Sequence, residues 1–140
     1  MNFMKKTFDN ISLRTSKITT IAYSTSFSMG IRFFNKKYHV PVYAIYGFVR
    51  FADEIVDTFH DYDKKRLLDD FKMDTYAAIR DGISLNPILN SFQQVVNAYN
   101  IDHELIDQFL YSMEMDLHHH EYDREKFEEY ILGSAEVVGL

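Results

Sequence analysis

Residues 42–59 read VYAIYGFVRFADEIVDTF, a stretch that would be apolar on nearly every face of a helix. Such a helix is expected to be buried among other helices rather than to lie on a surface. Its polar side chains Tyr46, Arg50, Asp53 and Asp57 are spaced 4, 3 and 4 residues apart, so they share one face. Because buried carboxylates have to be paired or bound to a metal, this face is the first candidate for a functional site.

Asp53 and Asp57 lie one helical turn apart, which places their Cβ atoms about 5–6 Å from each other. Mg²⁺ usually binds one or two carboxylates together with substrate phosphates, so the pair predicts half of a site for a metal–phosphate complex. Arg50, one turn earlier, is placed to bind a phosphate oxygen. The alternative is that Arg50 pairs with Asp53 or Glu54 on a solvated edge, where such pairs contribute about 0.3–0.5 kcal/mol. The apolar surroundings favour the metal site.

The composition predicts one all-α domain. The chain has 140 residues, a formal net charge of -6, 46% hydrophobic residues, and only 5 Gly and 2 Pro. An acidic chain is a poor candidate for binding nucleic acid, and so few turn-forming residues argue against a sandwich or barrel. The absence of cysteine excludes disulfides and thiolate chemistry and fits a reducing compartment, so we expect a cytoplasmic protein. No apolar run approaches the roughly 20 residues of a membrane-spanning helix.

The few turn-forming residues divide the sequence into six predicted helices. Pro41 is typical of the first turn of a helix, Gly82 of a helix end, and Asn86 and Asp102 of helix N-termini. The predicted helices are 16–35 with a break or kink near Gly30, 42–58, 63–81, 87–100, 102–118, and one that begins after Asp123. The last of these has no end signal before Leu140, so we expect the sequence to be the N-terminal part of a longer protein.

Three separated blocks of this sequence resemble the phytoene and squalene synthase family. STSF at Ser24–Phe27 is similar to the family's serine-rich first helix, and YAIYGFVRFADEIVD at 43–57 to its first aspartate-rich helix. MEMDL at 113–117, followed by 130–140, resembles its central helices. The resemblance implies an isoprenoid synthase-type helical bundle of which residues 1–140 are the N-terminal part, about the first six helices. The C-terminal part, with the family's second aspartate-rich helix, would then be absent from the sequence.

The resemblance also implies an activity, a cofactor and site residues. Enzymes of the family are prenyltransferases that condense two allylic prenyl diphosphates head-to-head, farnesyl or geranylgeranyl diphosphate, with Mg²⁺ assisting the release of diphosphate. The product is of the phytoene, squalene or dehydrosqualene type, and its apolar character would suit contact with a membrane surface. Matched by position, Asp53 and Asp57 resemble the magnesium ligands, Arg50, Ser24 and Ser26 the diphosphate contacts, and Phe27, Tyr46 and Tyr130 the wall of the substrate pocket.

Several residues depart from the family pattern or allow two interpretations. Glu54 stands where the family often has a second adjacent Asp, and Glu136 where many relatives have a small glycine. Consecutive histidines at 118–120 point about 100° apart on a helix, so they predict an exposed turn and not a metal site. Asp116 either supports the diphosphate site indirectly or only forms local pairs.

Two other functions are consistent with the same sequence. A non-catalytic helical module would bind a partner or a lipid in an aromatic groove without magnesium, whereas a truncated, inactive enzyme would bind magnesium and diphosphate only weakly. An enzyme of the same fold that cyclises one prenyl diphosphate would need a single substrate. Dependence on magnesium separates the first from a prenyltransferase, and product analysis separates the second.

Overall fold

The structure, a computed structural model, describes residues 2–117. Within that range the chain forms six α-helices and a short 3-10 helix, and no strand. The helices are α1 (Phe3–Tyr23), α2 (Thr25–Ile31), the 3-10 helix (Lys36–Tyr38), α3 (His39–Asp57), α4 (Lys64–Asp81), α5 (Pro87–Tyr99) and α6 (His103–Asp116). The all-α prediction is confirmed, whereas the predicted helix after Asp123 and the histidines at 118–120 lie outside the described residues. In residues 2–117, no helix is both long enough and apolar enough to cross a bilayer.

Local signals set the ends of α4, α5 and α6 close to the predicted positions. The side chain of Asp63 accepts a hydrogen bond from the backbone N–H of the first turn of α4, and Asn86 and Asp102 do the same for α5 and α6. Gly82 ends α4 in the left-handed conformation, with φ of 70°. These predictions succeed because a cap depends on residues that are neighbours in sequence.

The prediction for the first helix is wrong at both ends. Helix α1 begins at Phe3, after the N-cap Asn2, and not at residue 16. The helix is interrupted at Ser24, where the backbone is extended (φ −148°, ψ 98°). Gly30, where the break was predicted, lies inside α2. The hydroxyl of Ser24 accepts a hydrogen bond from Phe27 N at 3.1 Å, so this serine starts a new helix. Serine and threonine side chains inside α1 donate their hydroxyls to carbonyl oxygens one turn earlier, so these polar groups are satisfied within the helix.

Helix α3 is the centre of the bundle, with α1, α4, α5 and α6 packed around it. Phe48 shows this arrangement most clearly. Its ring stacks on Phe92 of α5 with the ring centroids 3.8 Å apart and also contacts Phe71 of α4 (5.4 Å) and Phe109 of α6 (5.6 Å). One side chain of α3 therefore joins four helices in a single apolar cluster.

Hydrogen bonds between small polar residues hold α1 against α5. The hydroxyls of Ser16 and Ser91 lie 2.5 Å apart, and the amide of Asn90 donates to Asp9 Oδ1 and Ser12 Oγ, each at 3.0 Å. These groups are largely removed from water, so their hydrogen bonds specify one alignment of the two helices. That alignment fixes the C-terminal end of α1, which carries Tyr23 to the candidate site.

Gly47 of α3 lies against Ser16 of α1 and Ile88 of α5 and gives a test of this packing. A Cβ atom on Gly47 would lie 3.1 Å from Ser16 Oγ and 3.2 Å from Ile88 Cδ1. We expect Gly47→Leu to lower the free energy of unfolding by about 1–3 kcal/mol through overpacking, measured by urea denaturation. Gly30→Ala is the matched control, because nothing lies within 4 Å of its added Cβ and the change should stabilise by about 0.5–1 kcal/mol. A Gly47→Leu protein as stable as the unmodified chain would contradict the packing.

Candidate functional site

The polar side chains predicted to share a face are all on α3, and three charged groups of that helix are buried. Arg50, Asp53 and Glu54 are 4%, 0% and 9% exposed, respectively. Asp57 is the last residue of α3 and is half-buried. Charged residues this deeply buried are rare unless they are paired, so the partners of each decide what the site can do.

Arg50 binds both of the buried carboxylates. Its Nη1 lies 2.5 Å from Asp53 Oδ2, and its Nη2 donates a hydrogen bond to Glu54 Oε1. The guanidinium carbon also lies 4.4 Å from the centre of the Tyr23 ring, a cation–π contact made by the end of α1. We refer to Arg50, Asp53 and Glu54 as the buried triad. The pairing of Arg50, which the sequence offered only as the alternative to a metal site, is present with both carboxylates. It lies in a buried position and not on the solvated edge which that alternative assumed.

The electrostatics of the triad keep Arg50 charged. Burial alone would lower the pKa of Arg50. The hydrogen bond to Glu54 and the charges of Asp53 and Glu54 outweigh that effect, so the pKa of Arg50 lies above its ordinary value. The triad therefore contains one permanent cation between two carboxylates.

Two of the aromatic residues predicted to form the pocket wall, Phe27 and Tyr46, pack on each other, and neither lines the cavity between α3 and α4 described below. Phe27 of α2 stacks on Tyr46 of α3 with ring centroids 4.8 Å apart, and both side chains are buried. Tyr46 is close enough to Arg50 to contribute to its raised pKa. The third predicted wall residue, Tyr130, lies outside the described residues.

The two predicted serine contacts are placed differently. Ser24 is 8% exposed, and its hydroxyl accepts the hydrogen bond that caps α2. It follows Tyr23 directly, so it lies at the same junction that brings the Tyr23 ring onto Arg50. Ser26 is exposed, and the structure does not bring it into the buried group around Arg50.

Tyr23 and Glu54 belong to the site although neither was predicted as a site residue. Glu54 points about 100° from Asp53 around the helix, which made a shared role unexpected. The arginine side chain is long, and its two terminal nitrogens reach both carboxylates across that angle. The available signal in the sequence was that Glu54 follows Arg50 by four residues. Tyr23 comes from another helix, and only its position beside the serine-rich block pointed to it.

A cavity of about 380 Å³ lies next to the triad, between α3 and α4. Its wall is mainly apolar and aromatic, with the carboxylate of Glu54 at one side and two carboxylates of α4 at the rim. The lining residues are Tyr23, Phe51, Glu54, Ile55, Phe59, Leu67, Asp70, Phe71 and Asp74. Tyr23 and Glu54 belong both to this wall and to the surroundings of Arg50.

The carboxylates predicted to hold a metal are those of Asp53, which is paired with Arg50, and Asp57. Among residues 2–117, no group of three or more His, Cys, Asp or Glu side chains is arranged to hold a metal ion. Two aspartates on successive turns of one helix nevertheless fit Mg²⁺, which takes oxygen ligands and fills its remaining positions with water and phosphate. The described residues can thus supply one side of a magnesium–phosphate site.

Comparison with known proteins identifies the family. The family model described as squalene/phytoene synthase matches residues 21–140. The match includes Tyr23, the whole of α3 and every predicted site residue, and leaves out most of α1. Searches of curated proteins and of solved structures found no match. The match covers most of the sequence, so this chain belongs to the squalene/phytoene synthase family.

Proposed function

We propose that the protein is a prenyltransferase that condenses two allylic prenyl diphosphates head-to-head, as the family suggests. The observation that supports this most is the buried triad with Asp57 one turn beyond it. It combines a permanent cation and carboxylate ligands on one face of a helix enclosed by apolar residues. Farnesyl and geranylgeranyl diphosphate are the substrates that we propose.

Each group of residues has a distinct part in this proposal. Asp53 and Asp57 would hold Mg²⁺, which when bound would stabilise the negative charge of the departing diphosphate. Arg50 provides a second positive charge for the same anion, with a guanidinium suited to bidentate contact with phosphate oxygens. Each 1.36 kcal/mol that such charges remove from the barrier accelerates the reaction about tenfold.

The aromatic side chains have a different role, which is to surround the carbocation. Phe27 and Tyr46 are buried and stacked on each other, and in this proposal they would keep water from one side of the site. An allylic carbocation needs such surroundings, because water would trap it and aromatic faces attract positive charge. In this proposal the buried charges stabilise the departing diphosphate, and the aromatic surface stabilises the carbocation that it leaves behind.

Binding of an unreactive prenyl diphosphate analogue, with sulfur bridging the prenyl chain and the diphosphate, tests this function. We expect binding to require Mg²⁺ and the affinity to fall about 100-fold, about 2.8 kcal/mol, in Asp53→Ala and in Asp57→Ala. Isothermal titration calorimetry with and without Mg²⁺ measures both effects. Asp107→Ala, which removes an exposed carboxylate of α6, is the matched control and should bind normally. Normal binding and turnover by both site variants would refute the assigned metal site.

The cavity between α3 and α4 favours a second candidate, a helical module that binds an apolar ligand without catalysis. Its wall is apolar enough for a prenyl or acyl chain, and neither Asp53 nor Asp57 lines it. Such a module would bind the analogue equally well without Mg²⁺ and regardless of either aspartate. The same titrations therefore separate the two functions.

A further inference from the structure

The buried triad places a cation, Arg50, beside the carboxylate of Asp53 without a metal. Asp53 has no exposed surface, and its Oδ2 atom lies 2.5 Å from Arg50 Nη1. Arg50 is held on three sides, by Asp53, by Glu54 and by the ring of Tyr23. The same guanidinium is the proposed diphosphate ligand, and the same aspartate is a proposed metal ligand. Arg50 and Asp53 are thus paired with each other before diphosphate or Mg²⁺ binds.

We infer that Arg50 acts as an internal cation that occupies the metal site until Mg²⁺ and diphosphate arrive together. This inference rests on the proposed function. The guanidinium of Arg50 would move from Asp53 to the diphosphate, and the carboxylate of Asp53 would then be able to hold Mg²⁺. Arg50 is therefore a positioning residue for the metal as well as a ligand of the substrate.

Burial explains why neither ligand would suffice alone. If diphosphate drew Arg50 away without a metal, Asp53 and Glu54 would stay buried after losing the cation that both pair with, which is strongly unfavourable. If Mg²⁺ reached Asp53 first, it would compete with a guanidinium that is already desolvated and bonded. Mg²⁺ would replace the positive charge that Asp53 loses when Arg50 moves, and diphosphate would draw Arg50 away from the carboxylate that Mg²⁺ needs. Each ligand therefore increases the affinity for the other by the same factor.

Asp57 is the first of the two aspartates that an incoming Mg²⁺ ion would reach. It is half-buried and lies at the end of α3, whereas Asp53 is enclosed one turn earlier. A hydrated ion can therefore reach the Asp57 carboxylate directly, but it reaches Asp53 only after Arg50 moves. The two aspartates are unequal ligands in the absence of substrate.

Thermal unfolding with Mg²⁺ and no substrate tests the inference on the purified protein. We expect saturating Mg²⁺ to change the melting temperature of the unmodified protein by less than about 1 °C. Arg50→Gln removes the internal cation and leaves space beside Asp53, so we expect Mg²⁺ to raise its melting temperature by about 5 °C or more. Calorimetry should show at least about tenfold tighter Mg²⁺ binding by Arg50→Gln than by the unmodified protein.

Three further variants show whether the effect of Mg²⁺ on the melting temperature depends on the triad. Arg50→Gln/Asp53→Asn removes both partners and should lose the Mg²⁺ effect. Lys65→Gln, which breaks an exposed ion pair with Asp69, should behave like the unmodified protein, as should NaCl at matched ionic strength. Arg50→Lys retains one cation and should give an intermediate shift, which keeps the test usable if Arg50→Gln does not fold.

Two outcomes overturn the inference: an Arg50→Gln or Arg50→Lys protein that Mg²⁺ stabilises no more than the original, or an effect that persists in the double variant. Failure of the proposed function looks different. In that case the unmodified protein does not bind the prenyl diphosphate analogue even with Mg²⁺, whatever the melting temperatures of the Arg50 variants show.

Discussion

Replacing Phe48 by alanine is expected to lower the free energy of unfolding by about 3–5 kcal/mol. Phe48 is 2% exposed, and its ring contacts Phe92, Phe71 and Phe109 from three other helices. Removing the ring takes away buried apolar area and leaves a cavity that four helices cannot close without moving. Urea denaturation followed by circular dichroism measures the loss.

Phe33→Ala is the matched control for the same change of side chain. Phe33 is 91% exposed, between α2 and the 3-10 helix, so its replacement should change stability by no more than about 0.5 kcal/mol. If Phe48→Ala cost less than 1 kcal/mol, or no more than Phe33→Ala, the cluster around Phe48 would not be the centre of the fold.

The fold could be predicted where the signals are local. Gly82, Asn86 and Asp102 act on their own helix ends, and these positions agree with the structure. The start and break of the first helix were missed although their caps, Asn2 and Ser24, are local as well. Ser16 and Ser24 look alike in sequence, but Ser24 interrupts the helix whereas Ser16 lies inside α1. The hydroxyl of Ser16 contacts Ser91 of α5, and a contact so distant in sequence could not be predicted.

The same distinction applies to the candidate site. The face that carries Arg50 and Asp53 follows from helical spacing and apolar surroundings, both of which are visible in sequence. Glu54 needed the reach of the arginine side chain, and Tyr23 needed the packing of α1 against α3. Spacing along one helix therefore offered both pairs of the triad, whereas the burial of the triad and its contact with Tyr23 depend on tertiary structure.

Arg50→Met is expected to lower the free energy of unfolding by about 3–5 kcal/mol, because it leaves Asp53 and Glu54 buried without their cation. The size of this effect does not mean that the triad stabilises the fold. Burying three charges costs several kcal/mol per ion, and the attraction between them offsets this only with well-placed hydrogen bonds. Replacing the whole triad by apolar residues distinguishes the two interpretations.

Arg50→Met/Asp53→Leu/Glu54→Leu is expected to recover nearly all of the stability that Arg50→Met loses, to within about 1 kcal/mol of the unmodified protein or above it. The apolar residues would join a helix that is already buried on both sides of the triad. Urea denaturation compares the single and triple variants, and titration with the prenyl diphosphate analogue should show no Mg²⁺-dependent binding by the triple variant. A stable protein without binding would mean that the triad is retained for ligands, because an apolar core would fold at least as well. A triple variant as unstable as Arg50→Met would instead assign the triad to the fold.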